Sequence, residues 1–214
     1  MNIAIDLQVA ELLASRLCHD LVGPVGAVNN GLELLEDEDD AEMSREALNL
    51  AADSAERAAV ALQYFRFAYG MAGSRVGGNL DELRDLSVKF LAKHKISVDW
   101  AVSDQAGELP EDLGKLLLNM VLLGAETLPM GGKVGVEVDA GAGSLEARVV
   151  TTGERAAARD DMAPALADDA RPEDLTPRNV QAYFTRMVAR RMGSDLALDT
   201  SAPGTVRLTV ALAG

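Results

Sequence analysis

Between residues 4 and 36, Ala10, Ala14, Leu17, Leu21, Pro24, Val28, Gly31 and Leu35 follow one another at steps of four and three. This is the spacing of a helix–helix seam and predicts one long helix. The acidic run Asp37-Glu38-Asp39-Asp40 breaks the pattern and reads as a short connection. A second seam follows, Ala47, Ala51, Ser54, Ala58, Ala61, Phe65 and Ala68, and predicts a helix from about residue 41 to residue 69 whose small side chains permit close approach. Two long helices joined by a short turn pack antiparallel. Such a hairpin alone leaves Val9, Leu13, Val25, Leu48 and Leu62 poorly covered. Two copies paired about a twofold axis would bury them in a four-helix bundle, so a homodimer is expected.

The glycine-rich stretch from Gly70 to Gly78 reads as a hinge. Beyond it the pattern alternates between helical and strand periods. Asn79 can cap a helix carrying Asp81 and Glu82 in its first turn and Leu83, Leu86 and Phe90 on its inner face. Strands are expected at 96–103, with Trp100 inside, at 133–139 and at 145–151 around a Gly-Ala-Gly-Ser turn. Helices are expected at 110–128 and 178–192, and a closing hairpin at 196–200 and 205–212. The fold class is α+β: a two-helix hairpin (1–70) forming a dimeric bundle, a hinge (71–79) and an α/β sandwich (80–214) with helices on one side of a mixed sheet.

Composition sharpens this picture. Hydrophobic residues make up 48% of the 214 but aromatics only 4%, which favours Ala/Leu-rich helical packing. A net charge of −14 argues against nucleic acid and anionic membrane as partners. The acidic stretches 36–40 and 160–173 read as solvated loops. No apolar run is long enough to span a bilayer, and the N-terminus lacks the basic start of a signal peptide. The single cysteine, Cys18, reads as a packing residue, and a chain with one thiol fits a reducing cytoplasm.

His19 lies two residues from both Leu17 and Leu21, roughly 200° of rotation from each, so it points away from the seam. Its face is small and polar: Ser15, Arg16, Gly23, Gly26 and Asn30, with Leu12 and Val22 as the exceptions. Another protein could approach this imidazole closely, and Arg16, one turn earlier, could help to neutralise an incoming phosphoryl group. Pro24 removes the backbone bond to the Asp20 carbonyl and should bend the helix. Imidazole is a good nucleophile near neutral pH, and its phosphoramidate is reactive enough to pass the group on. The other histidine, His94, falls between a helix and a strand and reads as a capping or solvent residue. Two histidines and one cysteine offer no recognisable metal-ligand spacing, so no metal is expected.

The stretch Cys18-His19-Asp20-Leu21-Val22-Gly23-Pro24-Val25 resembles the H-box of sensor histidine kinases, matching it at His19, Asp20, Leu21, Pro24 and approximately Val25. The resemblance implies that His19 is the phosphoacceptor and that Asp20 orients its ring or assists its proton. The Thr or Asn that this family carries four positions after the histidine, tied to its phosphatase activity, is Gly23 here.

Residues 79–214 look like the ATP-binding domain of the same kinases, on the stretches 117–125, 148–153 and 187–208. The ligands that resemblance calls for are missing. Asn119 is present, but Leu123 stands where a second Asn would hold Mg²⁺. Thr151 aligns with the adenine-reading Asp, Arg155 replaces a glycine, and no glycine lies between Gly153 and Gly193. An H-box hairpin on a nucleotide-blind kinase domain resembles the ChpT-type histidine phosphotransferases of alphaproteobacterial phosphorelays. That resemblance implies that His19 takes phosphoryl from a hybrid kinase's receiver aspartate and passes it to a response regulator's receiver, with Mg²⁺ supplied by the receiver and no ATP. Two alternatives stay open: an ATP-dependent histidine kinase with unusual contacts, and a non-catalytic dimeric protein that docks receivers.

Overall fold

The computed structural model describes residues 6–37, 40–71, 80–102, 109–141 and 144–213. Helix α1 (Leu7–Asp37) and helix α2 (Ala41–Ala68) form the expected hairpin. Asp40 caps α2, its carboxylate accepting the Glu42 N–H at 2.8 Å. All seven residues of the α2 seam are buried. The helices touch most closely at Gly31, where an added Cβ would stand 2.9 Å from the Ala51 Cβ and 3.0 Å from the Ala47 carbonyl.

The α1 seam holds from Leu17 to Leu35, and its first two positions differ from expectation. Ala10 and Ala14 are exposed, whereas Val9 is 2% exposed and Leu12 and Leu13 pack on the core. The first turns of α1 lie against the second unit as well as α2, and that third neighbour sets which side faces in. Val9 is therefore covered by its own chain, and Leu13 is partly covered. Val25, Leu48 and Leu62 remain exposed.

The second unit contains α3 (Leu80–Ala92), β1 (Ile96–Val102), α4 (Leu113–Ala125), β2 (Gly132–Gly141), β3 (Ser144–Thr152), α5 (Met162–Leu166), a 3₁₀ turn (Pro172–Asp174), α6 (Val180–Arg191), β4 (Leu196–Asp199) and β5 (Thr205–Ala213). The sheet order is β1-β2-β3-β5-β4, with β1 parallel to β2 and the other pairs antiparallel. A parallel pair needs a crossover, and α4 supplies it. Alternate residues line the buried face: Val134, Val136 and Val138 on β2, Ala147 and Val149 on β3, Val206, Leu208 and Val210 on β5. Helices α3, α4 and α6 cover that face, and the chain is α+β as expected.

The acidic stretch 160–173 differs from a solvated loop. Met162, Ala165 and the following Leu175 are buried against the core, and Asp168 pairs with Arg186 at 2.9 Å and with Arg190. Apolar anchors at a few positions fix the segment while its carboxylates face water or arginine. The expected hinge falls almost wholly on residues 72–79, outside the described residues. The hairpin enters the same core as the sheet unit, because Tyr64, Phe65 and Ala68 at the end of α2 are buried with α3, α4 and α6. Tyr64 stacks on Phe90 with centroids 4.2 Å apart, Phe65 stacks on Tyr69 at 5.5 Å, and Tyr69 meets Phe184 edge-on at 5.6 Å. The few aromatic residues of this chain are thus concentrated at the junction of its two units.

Candidate functional site

His19 stands on the solvent side of α1, its side chain 88% exposed. Its Nδ1 lies 3.2 Å from Oδ1 of Asp20, so Nε2 is the ring atom left facing outward. The surface around it is bare: a Cβ added to Gly23 or to Gly26 would meet nothing within 4 Å. These glycines serve no packing within the chain, and they leave room for a partner to reach the imidazole. Helix α1 runs on through Pro24. Proline has no N–H to give the Asp20 carbonyl, one turn back. Cys18 is exposed in the single chain, on the same outward stripe as Val22 and Val25.

Arg16 is placed elsewhere than expected. Its guanidinium, only 14% exposed, points back across α1 and pairs with Glu126, just beyond the end of α4. Arg159 joins the same carboxylate at 3.1 Å. Burial works most strongly against the charge on Arg16, but Glu126, Tyr69 and Asp20 together outweigh it and raise the guanidinium pKa. In this structure Arg16 thus joins the two units. The local sequence shows only its position on the helix, not the carboxylate 110 residues away that captures it.

Three of the positions singled out by the resemblance to the kinases, Asn119, Leu123 and Thr151, are buried. Asn119 is fully buried; its Nδ2 donates to the Ala68 and Lys115 carbonyls at 2.7 Å each, and its Oδ1 accepts from Gln181 Nε2 at 3.0 Å. Gln181 Oε1 in turn accepts the Tyr69 hydroxyl at 2.7 Å. Leu123 is buried, and the Thr151 hydroxyl bonds that of Thr127 at 2.7 Å. Arg155 is exposed.

Sequence reasoning missed Glu126, Gln181, Tyr69 and Lys115. Lys115 Nζ donates to the Gly70 carbonyl at 3.0 Å, and burial pulls its pKa down. Tyr64 donates to the Leu118 carbonyl at 2.7 Å, and burial pushes both the Tyr64 and the Tyr69 phenols up, keeping them neutral donors. One available signal was polar residues at inward positions of α4 and α6, since Lys115, Asn119, Gln181 and Thr185 all fall on buried turns. Among the described residues, no group of three or more His, Cys, Asp or Glu side chains could hold a metal ion, and no helix is long and apolar enough to cross a membrane.

Comparison with known proteins agrees with this anatomy. The model of the histidine phosphotransferase C-terminal domain matches residues 80–204. The protein phosphotransferase ChpT of Brucella abortus (strain 2308) is 34% identical over 199 residues, 92% of each chain. A solved structure of a bacterial phosphotransferase superposes with a TM-score of 0.81 at 27% identity, covering 98% of both chains. A family model that spans most of the second unit, and a relative aligned along nearly the whole length including the hairpin, place this chain in the family of ChpT-type histidine phosphotransferases.

Proposed function

We propose that this protein relays a phosphoryl group between receiver-domain aspartates through His19, as a homodimer and without ATP. The observation that carries the reading is the imidazole standing on bare helix surface with Nδ1 against Asp20 and Nε2 outward. With the ring proton on Nδ1, the Nε2 lone pair attacks the phosphorus of an aspartyl phosphate presented by the receiver. The N–P bond forms as the acyl O–P bond breaks, and the receiver carboxylate is released. Asp20 holds the ring in one tautomer and orientation and offsets the positive charge that gathers on it. The reverse sequence delivers the group to a second receiver. Mg²⁺ belongs to the receiver's side of the encounter.

The absence of ATP chemistry is supported by Asn119, whose amide is fully used inside the core, and by buried Leu123 and Thr151. A dimer is supported by the apolar side chains the hairpin leaves in water. Leu48 (56% exposed) and Leu62 (52%) flank exposed Ala52, Ala55 and Ala59 at steps of four and three on α2, and α1 presents Val22, Val25 and Leu32. Two such hairpins bury one another's stripes.

The test is transfer of label from a phosphorylated receiver domain to wild type and to His19→Ala, with ATP alone as control. Rapid labelling of the wild type only, and none from ATP, is the expected result. Labelling from ATP alone would restore a kinase, and no labelling from cognate receivers would leave a docking protein.

A further inference from the structure

A cavity of about 350 Å³ opens beside α1, between α3 and the segment after α4. Its rim carries Arg16, Asp20, Lys93, His94 and Glu126. The phosphoryl relay uses Asp20, and the buried ion pair uses Arg16 and Glu126; Lys93 and His94 have no part in either.

His94 is held in place firmly for a residue of a surface turn. Its N–H donates to the Leu91 carbonyl at 2.9 Å, and Lys95 after it takes a left-handed φ of 58°. Gly132 N–H donates to the Lys95 carbonyl at 3.1 Å, and Gly131 comes so near that an added Cβ would stand 2.6 Å from that oxygen. The imidazole leans against Phe90, with centroids 6.5 Å apart. Asp20 therefore meets His19, with Nδ1 at 3.2 Å, and shares the cavity with His94.

We propose that His94 is a positioning residue for phosphoryl transfer, its charge setting how strongly Asp20 holds the Nδ1 proton of His19 and so the balance between taking and giving the group. This rests on the relay reading above. When His94 is neutral, Arg16 is the cation of the cavity that shares Asp20 with Nδ1–H. The Nε2 lone pair is then richer, which favours N–P bond formation as the aspartyl O–P bond breaks. When His94 is a cation, it draws on the same carboxylate. Nδ1 then keeps its proton more fully, which favours the return of the N–P electron pair to Nε2 as the phosphoryl group leaves for a receiver carboxylate. No proton leaves the ring in either direction.

The groups facing His94 decide when it charges. Burial and neighbouring Lys93 lower its pKa from 6.5, while Asp20 of α1 raises it. Arg16 of α1 faces both Glu126 after α4 and Asp20, and α2 brings only Ala61 to the cavity. His94 thus charges at lower pH than a free imidazole does.

The test measures rates of label uptake from a phosphorylated receiver domain, and of return to an unphosphorylated one, between about pH 5.5 and about pH 8. Full-length wild type, His94→Gln, which never charges, and His94→Lys, which stays charged, are compared. At neutral pH the Lys variant should take up label about threefold more slowly than wild type and return it faster, the size of effect expected of a partly exposed charge pair. Towards acid pH the wild type should move from Gln-like to Lys-like rates. Gln and Lys variants that match each other at every pH, with wild type still labelled on His19, would overturn this inference alone. No labelling of wild type would overturn the relay reading and this inference with it.

Discussion

Asn119 on α4 donates to the carbonyl of Ala68 at the end of α2 at 2.7 Å, a buried hydrogen bond joining the hairpin to the sheet unit across 51 residues of chain. The same side chain holds Lys115 and Gln181. Replacing it with Ala takes the side-chain donor from the buried Ala68 carbonyl and the shortest acceptor from the Gln181 amide, which keeps longer bonds to Thr185 Oγ1 and the residue 119 carbonyl. Asn119→Ala should destabilise the protein by about 2–3 kcal/mol, measured by urea unfolding. An unchanged midpoint would mean that the network carries no net stability.

Arg16 and Glu126 should be coupled energetically. Removing either leaves a charge in a largely buried place, so Arg16→Ala should cost about 2–3 kcal/mol, with Arg159 still tempering Glu126. A double-mutant cycle with Glu126→Ala should return a coupling of about 1–2 kcal/mol. Additive losses would show that the pair is only contiguous.

Two glycines of one helix should respond in opposite directions. At Gly31 an added side chain runs into Ala51 and the Ala47 carbonyl, so Gly31→Val should cost about 1–3 kcal/mol by overpacking. At Gly23 there is open space, so Gly23→Ala should stabilise the helix by up to about 1 kcal/mol. Thermal unfolding of the two variants beside wild type checks both signs.

Oligomeric state gives a separate check. Leu48→Glu with Leu62→Glu places charges on the exposed stripe of α2 without touching the buried seam. Light scattering should report half the mass of wild type, with helix content retained by circular dichroism. A wild type that already scatters as a monomer would remove the bundle from the proposed function.

What the sequence made legible followed from how many neighbours an element has. Helix α2 meets α1 along most of its length, so a single periodicity of small residues marked its buried face correctly. Helix α1 also meets α6 and the 3₁₀ turn, and there the face shifted to Val9, Leu12 and Leu13, away from Ala10 and Ala14. The strands were readable because alternate residues are valine, leucine or alanine, with boundaries off by one or two residues. The surroundings of His19 were readable for the same local reason: a face of a helix is a property of a few turns. Arg16 was not, because a long side chain can reach around its helix to a carboxylate that only the tertiary fold brings near. The asparagine in the core was visible as a residue, but its partners come from three other places in the chain.

The junction built from Tyr64, Tyr69, Asn119 and Gln181 has a consequence for how partners are met. Ordering one unit against the other is completed when the chain folds, within a shared core. In the proposed relay, a docking receiver would then lose less affinity to the immobilisation of its target, and successive receivers would meet the same template. Discrimination among them must reside in side chains on that template's surface, where single substitutions change the choice of partner while the scaffold stays as it is.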